Sequence, residues 1–255
     1  MIRVSLFAAS ALALAAYPAF ADGFTNVKLT GLGDVGFDHV DLDNANLNEF
    51  HGSASALWTR TDKWNIQGNF DTTLFNGDAD GITNTKFGVG VFWRDQSEGL
   101  LGGELRYQSV LGRDGFDIRA RGEYFLSEAT IGAFLGYGGY DGLDGWNLGA
   151  YGTYYVDPRL ALNLTTKYSA WDGSGGFTND YDEWALDGEV EYLFPEYDTS
   201  VYGGLGFGSL DPDTGAGSDY WRIGLGLRVH FGNDGTLQQR NRSEPLRTVR
   251  DHYLF

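Results

Sequence analysis

The chain has 255 residues, a formal net charge of −17 at pH 7, 38 glycines, 5 prolines, 15% aromatic residues and no cysteine. Such acidity leaves no basic surface to neutralise phosphates and excludes nucleic acid as a partner; the missing cysteines exclude a disulfide framework and a thiolate metal site. Mean hydropathy is −0.29, which looks soluble but also fits a transmembrane barrel, where polar lumen-facing residues cancel apolar lipid-facing ones.

Residues 1–21 carry one basic residue, Arg3, then an apolar run ending in Ala19-Phe20-Ala21. This pattern predicts a secretory signal peptide cleaved after Ala21, hence export. Pro18 and the shortness of the run argue against a spanning helix, and no later stretch has the length of one. From there period-2 alternation with turn signals predicts strands near 26–37, 49–59, 63–75, 82–94, 100–110, 116–126, 128–138, 146–156, 159–170, 183–194, 200–208 and 220–231. Connections after the even strands are tight: Arg60–Asp62, Asp95–Gly99, Ser127, Asp157-Pro158 and Pro195–Asp198. Those after the odd strands are longer and rich in Gly, Asp and Asn: His39–Asn48, Asn76–Gly81, Leu111–Gly115, Gly139–Gly145, Trp171–Asp182 and Asp211–Asp219. An even strand count with short turns on one side and longer loops on the other predicts an all-β fold, an antiparallel up-and-down transmembrane β-barrel with periplasmic turns and acidic extracellular loops.

Aromatic residues flank nearly every strand. Trp58, Trp64, Trp93, Tyr124, Tyr154, Tyr192, Phe194 and Phe231 fall at the turn end; Phe37, Tyr107, Tyr137, Trp146, Tyr168, Trp184, Phe207 and Trp221 fall at the loop end. Two girdles at the bilayer interfaces account for them better than the core of a soluble sandwich. The last strand alternates throughout: Trp221, Ile223, Leu225, Leu227, Val229 and Phe231 on one face, Arg222, Gly224, Gly226, Arg228 and His230 on the other.

On these features the chain resembles the bacterial outer-membrane β-barrel (porin-like) class over about residues 22–231. Gly224–Phe231 is similar to the terminal-strand signal of that class, with Gly226, Val229 and Phe231 in the matching places. The resemblance implies a location in the bacterial outer membrane, contact with its lipid and lipopolysaccharide, and the barrel assembly machinery as a partner. It leaves the specific function and the oligomeric state open, since pores, enzymes and adhesins share the class. In that class the signal ends the chain, whereas Gly232–Phe255 follow it here. The polar composition of 232–255 reads as a disordered periplasmic tail; the alternative is that it folds back to plug the acidic lumen or binds a periplasmic partner. Val249, Tyr253 and Phe255 alternate like a second assembly signal, interrupted by Asp251.

Parity turns the other strand face inward. The lumen then receives Glu104 and Arg106 from strand five, Asp117, Arg119, Arg121 and Glu123 from strand six, an acidic ladder of Asp187, Glu189 and Glu191 from strand ten, and Arg222, Arg228 and His230 from strand twelve. Gly204, Gly206 and Gly208 on strand eleven leave room for Arg222 and Arg228 to reach the ladder. Crowded carboxylates raise one another's pKa, so arginine pairing is the expected arrangement. Such a layer braces a narrow barrel and also filters solutes by size and charge. Twelve strands lie between the roughly eight that side chains fill and the roughly sixteen that leave a channel.

The loops are one-signed, with Asp-x-Asp at Asp41/Asp43, Asp78/Asp80 and Asp180/Asp182 and Arg113 as the basic residue. No full calcium-loop spacing exists, so solvation is the expected role, with a mouth that concentrates cations. His51-Gly52-Ser53 is similar to the His-x-Ser pairing of outer-membrane lipid A deacylases, but Phe50, Ala54, Ala56 and Trp58 set a parity that turns His51 and Ser53 away from lipid, with no acidic residue placed to orient the histidine. No catalytic, metal or cofactor site is therefore expected. The leading expectation is a narrow porin-like channel for small polar or cationic solutes; the alternatives are a closed structural or surface-interaction barrel engaging lipopolysaccharide or other cells, and a lipid-modifying enzyme.

Overall fold

Strict alternation gives each strand one wet and one apolar face, and a sheet built from such strands has no unpaired edge only when it closes. The computed structural model, which describes residues 28–43, 45–59, 63–77, 83–110, 113–140, 142–174 and 179–247, closes it. The strands are β1 (Lys28–Leu42), β2 (Ala45–Thr59), β3 (Trp64–Gly77), β4 (Thr83–Asp95), β5 (Gly99–Val110), β6 (Arg113–Phe125), β7 (Ala129–Tyr140), β8 (Leu143–Tyr155), β9 (Leu160–Gly173), β10 (Tyr181–Phe194), β11 (Thr199–Pro212) and β12 (Ser218–Phe231). Each pairs antiparallel with its sequence neighbours, and β1 pairs with β12 from Gly31↔Phe231 to Leu42↔Tyr220. In hydrocarbon every backbone N–H and C=O needs a partner within the protein, and closure supplies it.

Ladder pairing carries several strands further than their composition suggests. β1 and β2 continue through His39, Asp41 and Asn48, β7 and β8 through Tyr140 and Asp144, and β11 and β12 through Asp211 and Asp219. Segments that read as loops from their Asp, Asn and Gly are therefore arms of hairpins rising above the apolar belt, where the main-chain hydrogen bonds outweigh weak strand propensity. Asp78, Asp80 and Asp141, the turn at 60–62, the segment 1–21 and the ending 248–255 lie outside the described residues.

The outer surface is a belt of exposed apolar side chains. On β12 alone Trp221, Ile223, Leu225, Leu227 and Val229 are all turned outward, with Leu225 64% exposed. Aromatic residues sit at both rims and touch one another: Trp146 on β8 and Tyr168 on β9 are 5.4 Å apart across the ladder at one rim, and Tyr192 and Phe194, both on β10, are 5.0 Å apart at the other. Exposure on this scale is a hazard in water and the normal state of a surface that faces lipid.

Inside, three layers follow one another. At the loop end, Val40, Leu47, Ala185 and Tyr220 form one buried apolar cluster, and Tyr140, Leu143 and Trp171 another. The middle layer is charged. At the turn end the chain after β12 folds back across the mouth. Gly232 turns it with φ 75°, and a short helix α1 (Leu237–Ser243) starts on a capping box in which the Thr236 hydroxyl accepts from the Gln239 amide and the Gln239 side chain accepts from the Thr236 amide.

Two apolar anchors hold this segment. Leu237 packs on Tyr155, Ala161 and Leu193 on one side of the barrel; Leu246 packs on Phe92, Leu100 and Phe125 on the other. Each anchor contributes roughly 1.5–3 kcal/mol by burial. Polar contacts fix the register between them. Arg94 donates to the Glu244 carbonyl (2.8 Å) and Arg240 to the Asp198 carboxylate (2.6 Å); His230 Nδ1 lies 2.7 Å from Glu244 Oε2. Gln67 both donates to the Leu246 carbonyl (2.9 Å) and accepts from its amide (2.7 Å).

The outward row on β12 generates a depth-dependent prediction. Leu225 lies midway between the girdle residue Trp221 and Phe231, so Leu225→Arg should lower folding stability in lipid vesicles by about 2–4 kcal/mol. Arginine at Tyr197, in an exposed turn, should change it by under about 0.5 kcal/mol. Equilibrium denaturant unfolding of both variants measures the difference.

Candidate functional site

The charged middle layer is built from strand parity and barrel closure together. On β12, Arg222 and Arg228 point inward; on β11 the residue opposite Arg222 is Gly206, whereas Arg228 faces Ser200 and crosses β11 beside Tyr202. At Gly206 a Cβ would lie 2.2 Å from Asp187 Oδ1 and 3.2 Å from Arg222 Nε, so only glycine lets this arginine cross the strand. Arg222 thereby pairs with Asp187 on β10 and, through its other nitrogen, with Asp38 on β1 at 3.1 Å. Arg228 makes two hydrogen bonds to Glu189 at 2.7 and 2.9 Å, one to Asp34 at 2.9 Å, and lies 3.1 Å from Glu191. Its guanidinium also stacks on the Tyr202 ring, 3.9 Å from the centroid. The planar five-donor fork suits it to several carboxylates at once, where lysine offers a point charge.

Glu191 is fully buried and accepts from Ser200 at 2.5 Å. Asp34 and Asp38 also hold His51: its ring nitrogens lie 3.2 Å from Asp34 and 3.0 Å from Asp38, and 2.8 Å from the Tyr202 hydroxyl. Two carboxylates thus do face His51, against the expectation that none would orient it; they come from β1, which the barrel lays beside β2. His51 points into the lumen, as parity requires.

Across the lumen, Arg121 on β6 donates to the Tyr151 hydroxyl (2.6 Å) and to Glu123 (2.8 Å). Arg121, Asp187, Glu189, Arg222 and Arg228 together line one central cavity of about 140 Å³. The other residues expected in the layer are inside the barrel but elsewhere. Arg106 pairs with Asp117 at 2.9 Å, nearer the loop end, where Gln108 also donates to Asp117 at 2.7 Å. Arg119 lies over the Phe134 ring at 4.8 Å, and Glu104 accepts from Asn69. Gly226 admits the Tyr202 hydroxyl, which a Cβ would meet at 2.2 Å; Val229 faces outward, and Phe231 ends the β1 ladder opposite Gly31.

One further charge enters from outside the strands. Arg247, beyond α1, reaches into the cavity with its guanidinium 2.5 Å from Glu191 and 4.0 Å from Glu189, while its carbonyl accepts from Arg121 at 2.7 Å. Asp34 and Asp38 were readable as inward by alternation, yet their arginine partners, Arg228 and Arg222, lie more than a hundred residues away and are fixed only by closure. Arg247 has no periodic signal at all.

No family model matches the chain, and no curated protein does. Solved structures do. An outer membrane channel from Pseudomonas putida F1 superposes with a TM-score of 0.59 at 13% identity, covering 84% of this chain and 99% of that one. The NanC porin gives a TM-score of 0.53 at 10% identity, covering 75% and 98% respectively. The KdgM porin gives 0.52 at 9% identity, covering 78% and 99%. The chain therefore has the fold of bacterial outer-membrane channel barrels.

Arg228 carries the layer, and its removal takes away the cation that Asp34, Glu189 and Glu191 share, leaving His51 beside Asp34 and Arg247 beside the two glutamates. Arg228→Met should destabilise the barrel by about 3–5 kcal/mol, because uncompensated buried charge costs more than the pair contributes. Adding Glu189→Gln should recover part of that loss. Denaturant unfolding in detergent micelles measures both.

Proposed function

We propose that the protein is a narrow porin-like channel of the bacterial outer membrane, passing small polar or cationic solutes through the central cavity. The observation that carries this reading is the opposed arrangement around that cavity: Arg228 and Arg222 fixed among Asp34, Asp38, Asp187, Glu189 and Glu191 on one wall, Arg121 and Glu123 on the other. Fixed opposite charges set up a transverse field, and a surplus of carboxylates makes that field attractive to cations. Similarity of fold to known outer-membrane channels supports it. The inward charged residues act here as a size and charge filter rather than as a catalytic set, and the apolar row of β12 ending at Phe231 serves as the assembly signal.

A closed structural barrel is the second reading. It is favoured by the apolar clusters at the loop end and by the chain crossing the turn-end mouth. Such a barrel would contact lipopolysaccharide or other cells through its acidic hairpins.

Proteoliposomes carrying the full chain distinguish the two. Under the channel reading, small solutes enter, and a Glu189→Gln/Glu191→Gln double variant takes up cations several-fold less well relative to uncharged solutes of equal size. Absence of uptake for every solute would overturn the channel reading and leave the closed barrel.

A further inference from the structure

We infer that Glu189 and Glu191 form a lumenal binding site for a guanidinium or primary ammonium group, which Arg247 of the chain's own C-terminal segment occupies as a tethered ligand. This deepens the channel reading and rests on it for the claim that such cations reach the site from solution.

The charges around the site are unequal. Among the arginines of the strands, Arg228 is shared by Asp34, Glu189 and Glu191, while Arg222 is engaged by Asp38 and Asp187. His51 lies between Asp34 and Asp38, and His230 approaches Ser200 at 3.2 Å on the far side of Glu191. Without the tail, the Glu189/Glu191 pair therefore holds more negative charge than Arg228 neutralises, inside a cavity where screening by water is weak. A buried carboxylate in that position calls for a cation with directed donors.

Arg247 meets the demand. Its side chain comes from outside the barrel wall and puts one nitrogen 2.5 Å from the fully buried Glu191 and another on Asn241 Oδ1 at 2.6 Å. Asn163 donates to Glu189 at 3.2 Å from the neighbouring strand, so that carboxylate is held in place whether or not the guanidinium is present. The anchors that bring Arg247 there, Leu237 and Leu246, are separate from the ionic contact, and both carboxylates of the site belong to the barrel strand β10. A free cation with the same head group finds the same acceptors once the tethered one is removed, with the guanidinium the better fit because its planar fork reaches the Glu191 carboxylate and the Asn241 oxygen together, as Arg247 does.

Arg247→Ala tests this directly, since the substitution lies outside every strand. Methylguanidinium titrated calorimetrically into the full-length variant in detergent micelles should bind saturably, and at least about tenfold more tightly than to the natural chain or to Arg247→Ala/Glu191→Gln. Arg247→Lys, which retains a tethered cation, should behave like the natural chain. Tetramethylammonium, a cation without donors, should not compete. Equal binding to the natural chain and Arg247→Ala, or no binding to a variant that retains the heat-modifiable mobility of a folded barrel, would overturn the site. In planar bilayers methylguanidinium should block Arg247→Ala current. Binding without any conductance would sustain the site while overturning the channel reading, and conductance without binding would overturn the site alone.

Discussion

Pairing of β1 with β12 is the constraint on which the rest of the molecule depends. It removes the last free edges, which a sheet in hydrocarbon cannot leave unpaired. It also fixes the register Asp34↔Arg228 and places Val40 opposite Arg222, so that carboxylates from the start of the chain meet arginines from its end. The charged layer is thus a product of closure. Its stability is coupled to the same seam, because Arg228 reaches β1 on one side and β10 on the other.

Two different environments compete for the same strands, and parity resolves the competition residue by residue. Outward positions carry Leu, Val, Ile and aromatic side chains into lipid. Inward positions carry carboxylates and arginines that would be prohibitively costly there. Glycine mediates between them where space is short: Gly206 gives Arg222 its path, and Gly36 lets His51 and Tyr202 approach within hydrogen-bonding distance of each other and of Asp34. Each lies where a Cβ would strike the partner it admits.

The fold was legible because alternation is a strong signal when it persists, as on β12, and the glycines of β11 were enough to foresee Arg222 reaching β10; Arg228 also reaches it, but past Ser200 and over the Tyr202 ring rather than over glycine. Three things were not legible, for distinct reasons. Asp41, Asp211 and Asp219 look like loop residues because local composition disfavours strands, while ladder hydrogen bonds between paired arms decide otherwise. Asp34 and Asp38 show their orientation but not their partners, since pairing across the seam spans almost the whole chain. The segment after Phe231 has a local capping signal at Thr236 and Gln239, yet its burial rests on two isolated leucines whose receiving surfaces come from β4–β6 and β8–β10. Composition averages over such a segment and returns polarity alone.

On the proposed channel reading the lumen combines a brace with a filter, and its carboxylate surplus gives it a sign. The most direct test is the zero-current potential of the full-length protein in a planar bilayer separating concentrated from dilute potassium chloride. The account predicts a potential of the sign set by potassium permeating faster than chloride. A chloride-selective potential would contradict it, whatever the size of the conductance.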